Sequence, residues 1–202
     1  MWVLKIGGSV ARDGGAQLRG WLRAAAASAG RCVLVPGGGA FADAVRGAQR
    51  AIGFDDATAH RMALLSMDQA ATMYCGLEPD LEPVSTIQEI EQALAGGRCP
   101  VWMPSMLACE ASEIGASWDT TSDSLAAWLA IALRAEGLAL VKSCAVPRPL
   151  PDAAALAQAG IVDAELPRWL AGSGLRFECL AAGEQDNLAG LVAIDSRDRS
   201  KR

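Results

Sequence analysis

Apolar residues along this chain fall into short unbroken runs, separated by longer stretches with helical spacing. Trp2-Val-Leu-Lys-Ile6, Arg31-Cys-Val-Leu-Val35, Cys99-Pro-Val-Trp-Met103 and Leu138-Ala-Leu-Val141 are such runs. Each predicts a strand covered on both faces. Gln17 to Ala29 places Leu18, Trp21, Leu22 and Ala25 on one helical face and stops at Gly30. Asp55 to Tyr74 repeats His60, Leu64, Met67 and Ala71 at the same spacing. Thr86 followed by Glu89 predicts a capping box, opening a helix that runs through Leu94 and stops at Gly96-Gly97.

The remaining stretches are less regular. Glu78 to Pro83 reads as a turn-rich connection, with Val84 in a short strand. Ser105 to Ser117 reads as an irregular loop, and Trp118 to Asp123 leads into an apolar helix, Leu125 to Arg134. Pro147, Pro149 and Pro151 mark a loop, then two short helices follow, Asp152 to Ala159 and Asp163 to Leu170. Leu175 to Leu180 predicts a last, central strand, and Gln185 to Leu191 a final helix. Ser196 to Arg202 reads as a charged, frayed tail.

Strand, glycine loop and helix occur in that order twice at the start of the chain. Ile6 enters Gly7-Gly8-Ser9, and Val35 enters Pro36-Gly37-Gly38-Gly39 before the helix start at Ala40. That pattern predicts a parallel α/β sheet with ligands at the strands' carboxyl ends.

Composition narrows the classes. The 202 residues are 51% hydrophobic, enough for a sizeable core, and carry a net charge of −5 with no basic run before the tail. This argues against a nucleic-acid surface. No apolar run approaches a membrane span, and the first apolar stretch, broken by Lys5 and two glycines, does not read as a signal peptide. The six cysteines are scattered without a C-x-x-C pair, so a reducing cytoplasm is expected, with neither a disulfide framework nor a zinc site. Of 18 Lys and Arg residues only Lys5, Lys142 and Lys201 are lysines. Where arginine is the default, a lysine suggests a need for a compact point charge.

Four features then stand at strand ends or loop–helix junctions: Lys5 with Gly7, Gly8 and Ser9; Gly37 to Gly39; Asp119 with Asp123; and Lys142. Phosphoryl transfer needs such a set, because the protein must screen a moving polyanion and align two oxygens. Backbone amides and lysines screen the charge, and a carboxylate holds the lysines or a magnesium ion. Each feature also has a structural alternative. The glycine runs are tight turns, the two aspartates favour a helix N-terminus, and Lys142 is a surface lysine. His60, the one histidine, is a structural residue or a ligand contact, and Trp102, Trp118 and Trp128 fill core or interface.

Taken together, Val3-Leu-Lys-Ile-Gly-Gly-Ser9, Val35-Pro-Gly-Gly-Gly39 and Thr121-Ser-Asp-Ser124 resemble the motifs of the amino acid kinase family in order and spacing. The resemblance implies a three-layer αβα sandwich with a mainly parallel central sheet. It implies one domain over 1–202, with an acceptor half at about 1–110, a nucleotide half at about 111–195, and the tail at 196–202. It implies that Lys5 contacts the transferred phosphoryl group and that Asp123 organises the lysines. Gly7, Gly8, Ser9, Gly37, Gly38 and Gly39 would bind phosphate, His60 the substrate, and Ser122 and Lys142 the nucleotide. ATP and Mg2+ are the expected cofactors, and a homodimer or larger homo-oligomer the expected state.

Pro36-Gly-Gly-Gly-Ala-Phe-Ala42, Ala59-His-Arg-Met-Ala63 with Met67-Asp68, and Trp118 to Ser124 are similar to one branch of that family, the kinases of methanofuran biosynthesis. That branch converts an aminomethylfuran-methyl phosphate into its diphosphate. A kinase of the same fold acting on a carboxylate or an isoprenoid phosphate is the alternative, and a degenerate ligand-binding protein a further one. The chain departs from the family after Val141, where many members carry Thr-Asp-x-x-Gly. Here the segment is Lys142-Ser-Cys-Ala-Val-Pro147, and no lysine follows before Lys201. Either Lys142 stands in for the missing later lysine, or nucleotide binding is altered.

Overall fold

The computed structural model describes residues 1–193, so the tail expected over 196–202 lies outside the described residues. Six strands form one sheet: β1 Trp2–Ile6, β2 Cys32–Pro36, β3 Leu81–Val84, β4 Cys99–Trp102, β5 Gly137–Lys142 and β6 Arg176–Ala181. The helices are α1 Ala16–Ala26, α2 Gly39–Ile52, α3 Asp56–Leu77, α4 Ile87–Ala95, α5 Ser105–Glu110, α6 Ser122–Ala132, α7 Ala153–Gln158, α8 Leu166–Leu170 and α9 Asn187–Ala193. The sheet order is β3-β4-β2-β1-β5-β6, and every neighbouring pair is parallel.

The order places β1 at the centre, with β2 on one side and β5 on the other. Strand order switches sides there, since β2, β4 and β3 lie to one side of β1 and β5 and β6 to the other. Such a switch point opens a crevice at the strands' carboxyl ends. Both faces of β1 and β2 are buried, as their unbroken apolar runs predict.

Period-two alternation divides the core into two layers. Val3, Val33, Val35, Leu138 and Leu140 face one layer, with residues of α4, α6, α7 and α8. Trp2, Leu4, Ile6, Leu34, Ala139 and Val141 face the other, with residues of α1 and α9. The 22-residue α3 serves both, giving Leu64 and Met67 to the first and Ala71 and Tyr74 to the second. The result is the expected three-layer αβα sandwich with a parallel sheet.

Three expectations are corrected. Residues of the supposed turn over 78–83 belong to β3, which starts at Leu81; Pro83 is tolerated because β3 is an edge strand. The supposed loop over 105–117 begins with the short helix α5, which packs against α3. The last strand is an edge and not central, and its exposed Arg176 and half-buried Phe177 and Glu178 fit that place.

Trp2 fixes the start of the sheet. It is buried at the beginning of β1, directly opposite Gly137 of β5. A Cβ on Gly137 would sit 2.5 Å from the indole and 2.7 Å from the Arg176 carbonyl oxygen. Gly137→Ala should therefore lower unfolding free energy by about 1–3 kcal/mol through overpacking. A urea midpoint equal to that of the unmodified protein would show that this contact has room to relax.

Candidate functional site

Alternation also decides where two lysines point. Lys5 lies two residues beyond Val3, and Lys142 two beyond Leu140, so both emerge on the face that α6 covers. Lys5 is paired in register with Leu140, which sets Lys142 diagonally ahead of it on the adjacent strand. α6 begins over them, capped by the Thr121 side chain, and carries Asp123 in its first turn. The Asp123 carboxylate meets both ammonium groups, Oδ1 to Lys5 Nζ at 2.6 Å and Oδ2 to Lys142 Nζ at 2.5 Å. Side-chain exposure is 6% for Lys5, 3% for Asp123 and 12% for Lys142, so the trio is a buried ion cluster. Lys142 is thus not a surface lysine, while Asp119 is exposed and outside the cluster.

The electrostatics follow from burial and pairing. Burial pulls the Lys5 ammonium below the ordinary lysine value, and Asp123 only partly opposes it. Burial alone would raise the Asp123 carboxyl, but the two lysines outweigh it and hold Asp123 below the usual carboxylate range. One carboxylate between two ammonium groups leaves the trio with a surplus positive charge, a setting that favours an incoming anion.

A second carboxylate, Asp163, holds the first in place. Its backbone N–H donates to Asp123 Oδ2 at 3.2 Å. Its side chain accepts from Thr121 N and Oγ1, both at 2.8 Å, from Ser124 N at 3.0 Å, from Ser124 Oγ at 2.5 Å and from Leu166 N at 2.9 Å. It therefore satisfies orphan donors at the start of both α6 and α8. The sequence signals only the local half of this role, an aspartate three residues before an apolar helical residue. Its grip on α6, 40 residues earlier, leaves no such pattern.

The two glycine loops meet backbone to backbone. A Cβ on Gly8 would lie 2.2 Å from Gly39 N, and one on Gly37 would lie 2.4 Å from Gly8 N. Glycine is required at both positions by this approach. The amides differ in availability. Gly7 N–H donates to the Val141 carbonyl at 2.9 Å and Gly37 N–H to the Ile6 carbonyl at 2.8 Å. These two glycines stitch the switch point together, so their amides are not the open phosphate donors that the motif suggests. Lys5 Nζ comes within 3.9 Å of a Cβ position on Gly7, directly under the first loop. Ser9 Oγ and Ser143 Oγ lie 2.8 Å apart, joining the first loop to the residue after Lys142.

A cleft of about 360 Å³ opens beside these loops. Gly8, Ser9 and Gly37 to Gly39 line one end, with Thr121 and Ser122 just before Asp123. Leu64, Met67, Leu125 and Trp118 supply apolar wall, and Arg12, Asp43, Arg46, Asp56 and His60 the polar rim. His60 thus joins the triglycine loop in one cavity, whereas Arg61 lines a separate depression. His60 is half-buried, and burial lowers its pKa, which favours the neutral imidazole while the cleft holds no anion. Trp118 was not expected to belong here. Its Nε1 donates to Gln49 Oε1 at 2.7 Å, and the Arg46 guanidinium covers its ring 4.3 Å from the centroid. Those contacts fasten the loop before α6 to α2. Among the described residues no group of three or more His, Cys, Asp or Glu is arranged to hold a metal ion.

Buried lysines sharing one carboxylate thus lie under two glycine loops, at the switch point of a parallel αβα sheet. The description of the amino acid kinase family matches residues 1–145, and the chain belongs to that family. It is 26% identical over 129 residues to the [5-(aminomethyl)furan-3-yl]methyl phosphate kinase of Methanocaldococcus jannaschii, a match covering 64% of this chain and 59% of that relative's length. Uridylate kinase from Archaeoglobus fulgidus has the same fold, with a TM-score of 0.70 and 17% identity over 96% of this chain and 95% of that one. UMP kinase from Ureaplasma parvum superimposes with a TM-score of 0.68 and 11% identity, over 96% and 94% of the two chains.

Asp163→Ala should cost about 2–4 kcal/mol, the sum of a lost helix cap and donors left without an acceptor. Asp163→Asn should cost less, because one acceptor oxygen remains. Urea unfolding of the three proteins checks this. An alanine variant as stable as the parent would mean that solvent replaces the network freely.

Proposed function

We propose that this protein is an ATP-dependent phosphotransferase whose acceptor is a small molecule already carrying a phosphate. The specific reaction proposed is conversion of an aminomethylfuran-methyl phosphate to its diphosphate. The observation that carries the reading is the Lys5–Asp123–Lys142 cluster, set under the glycine loops, with Gly8, Ser9 and Ser122 beside it lining a cleft large enough for a small acceptor. The name of the methanogen relative supports the choice of acceptor.

In this reading an oxygen of the acceptor's phosphate attacks the γ-phosphorus of ATP. The bond from that phosphorus to the β,γ-bridging oxygen breaks, and ADP leaves. Lys5 screens the phosphoryl group in transit. Lys142, at the end of β5, holds the nucleotide's terminal phosphates and fills the place of the later family lysine. Asp123 keeps both ammonium groups aimed at the same point. Gly8, Gly38 and Gly39 supply amide donors, Ser9 and Ser122 hydroxyls, and His60 an N–H to the acceptor's phosphate, whose charge favours the imidazolium. The described residues do not form a cage for Mg2+, so the ion that neutralises ATP's phosphates would be held by those phosphates.

The acceptor half at about 1–110 then contains both glycine loops and His60, and the nucleotide half at about 111–195 contains Asp123 and Lys142. A cytoplasmic homodimer or larger assembly completes the proposal. Supporting it are free thiols at all six cysteines and exposed apolar side chains such as Ile52, Leu65 and Met106. Among the described residues no helix is long and apolar enough to cross a membrane.

Comparing kcat/KM for aminomethylfuran-methyl phosphate, acetylglutamate, carbamate, uridylate and isopentenyl phosphate tests the reading, and the furan phosphate should rank first. His60→Ala should raise the KM for it about tenfold, with little change in the KM for ATP. Preference for acetylglutamate or carbamate would overturn the phosphorylated-acceptor reading. Preference for isopentenyl phosphate or uridylate would keep the chemistry and replace the acceptor.

A further inference from the structure

The cleft has a direction. A Cβ on Gly38 would lie 3.6 Å from the Ser66 Cβ, so the triglycine loop abuts α3 at Ser66. Asp56, His60 and Leu64 follow one another at four-residue intervals on α3, and all three line the cleft. At 1.5 Å rise per residue, Asp56 stands about 15 Å along α3 from the Ser66 level and about 6 Å beyond His60. The cleft therefore runs from amide donors, past His60 and apolar walls, to a carboxylate at its far rim.

That carboxylate is exposed in the first turn of α3, where the helix dipole favours it, and it has no side-chain counter-charge among the described residues. Its neighbours are committed otherwise: Asp55 caps α3 by accepting from Thr58 N at 2.7 Å, and Asp43 meets Arg46 at 3.1 Å and Arg12 at 3.8 Å. Among the described residues the Asp56 side chain accepts from the neutral amide of Gln49 alone, at 2.8 Å. Gln49 in turn accepts from Trp118, so Asp56 is oriented by the same hydrogen-bonded chain that fixes the apolar wall.

We propose that Asp56 is a specificity-determining residue that reads a positively charged amine at the end of the acceptor opposite its phosphate. The inference rests on the acceptor reading above and deepens it. The site takes a short zwitterion with a flat apolar middle: the phosphate reaches the glycine loops and His60, the ring lies along Trp118 and Leu64, and the ammonium group pairs with Asp56. An acceptor with no cationic end leaves that carboxylate without a partner.

The test compares aminomethylfuran-methyl phosphate with the analogue bearing methyl in place of aminomethyl, on the full chain and on Asp56→Asn. Asparagine keeps a hydrogen-bonding partner for Gln49 and removes only the charge. The unmodified protein should prefer the amine by on the order of tenfold in kcat/KM, through KM, and in Asp56→Asn that ratio should fall towards one. Asp56→Glu should retain most of the preference. A variant that keeps the full preference, or loses equally on both acceptors, overturns the role of Asp56. If the unmodified protein uses both acceptors equally, the kinase reading survives and this inference fails. If it uses neither, both fail.

Discussion

A charge removed from water must be paired, and the centre of this protein pairs two ammonium groups with a single carboxylate. Asp123 lies between Lys5 and Lys142 with almost no solvent contact. Removing the carboxylate leaves two buried ammonium groups without their partner, a loss of several kcal/mol in comparable clusters. Such a cluster is a weak source of stability. It is a strong device for position, because neither lysine is free to swing and the surplus charge has only an anion to seek.

The fold is arranged around that constraint. A parallel sheet brings the ends of β1 and β5 side by side, and alternation turns Lys5 and Lys142 to the same face. α6 delivers the carboxylate from above, and Asp163 pins the first turn of α6 by occupying its donors. The glycine loops close over the top because Gly8 and Gly37 have no side chain to keep the backbones apart. Each of these features is modest in isolation, and together they leave the ion cluster one geometry.

Much of this arrangement was legible in the sequence. Buried strands announce themselves as unbroken apolar runs, and Lys5 and Lys142 stood out as point charges ending two of them. Their pairing with Asp123 was foreshadowed by the motif at Thr121 to Ser124. Local signals failed where the determinant is remote or brief. β3 was obscured by Pro83, tolerated only because the strand is an edge, and α5 by its length of six residues. Asp163 looks like an ordinary cap of α8, and nothing nearby reveals that it also caps α6. Trp118 reads as core filler, because the Gln49 and Arg46 that seat it lie about 70 residues away, beyond any helical or strand period. The motif also misled on Gly7 and Gly37, whose amides are engaged by Val141 and Ile6.

The central claim is that Asp123 acts through the lysines and not on its own. A double-mutant cycle in kcat tests this most directly, using Lys5→Ala, Asp123→Asn and the pair together, with folding of each confirmed by circular dichroism. Each single change should slow phosphoryl transfer by on the order of 100- to 1,000-fold. Because the two residues work as a unit, the double variant should be little slower than the worse single one. Rate losses that simply multiply would show that Asp123 and Lys5 act independently, and would contradict the account.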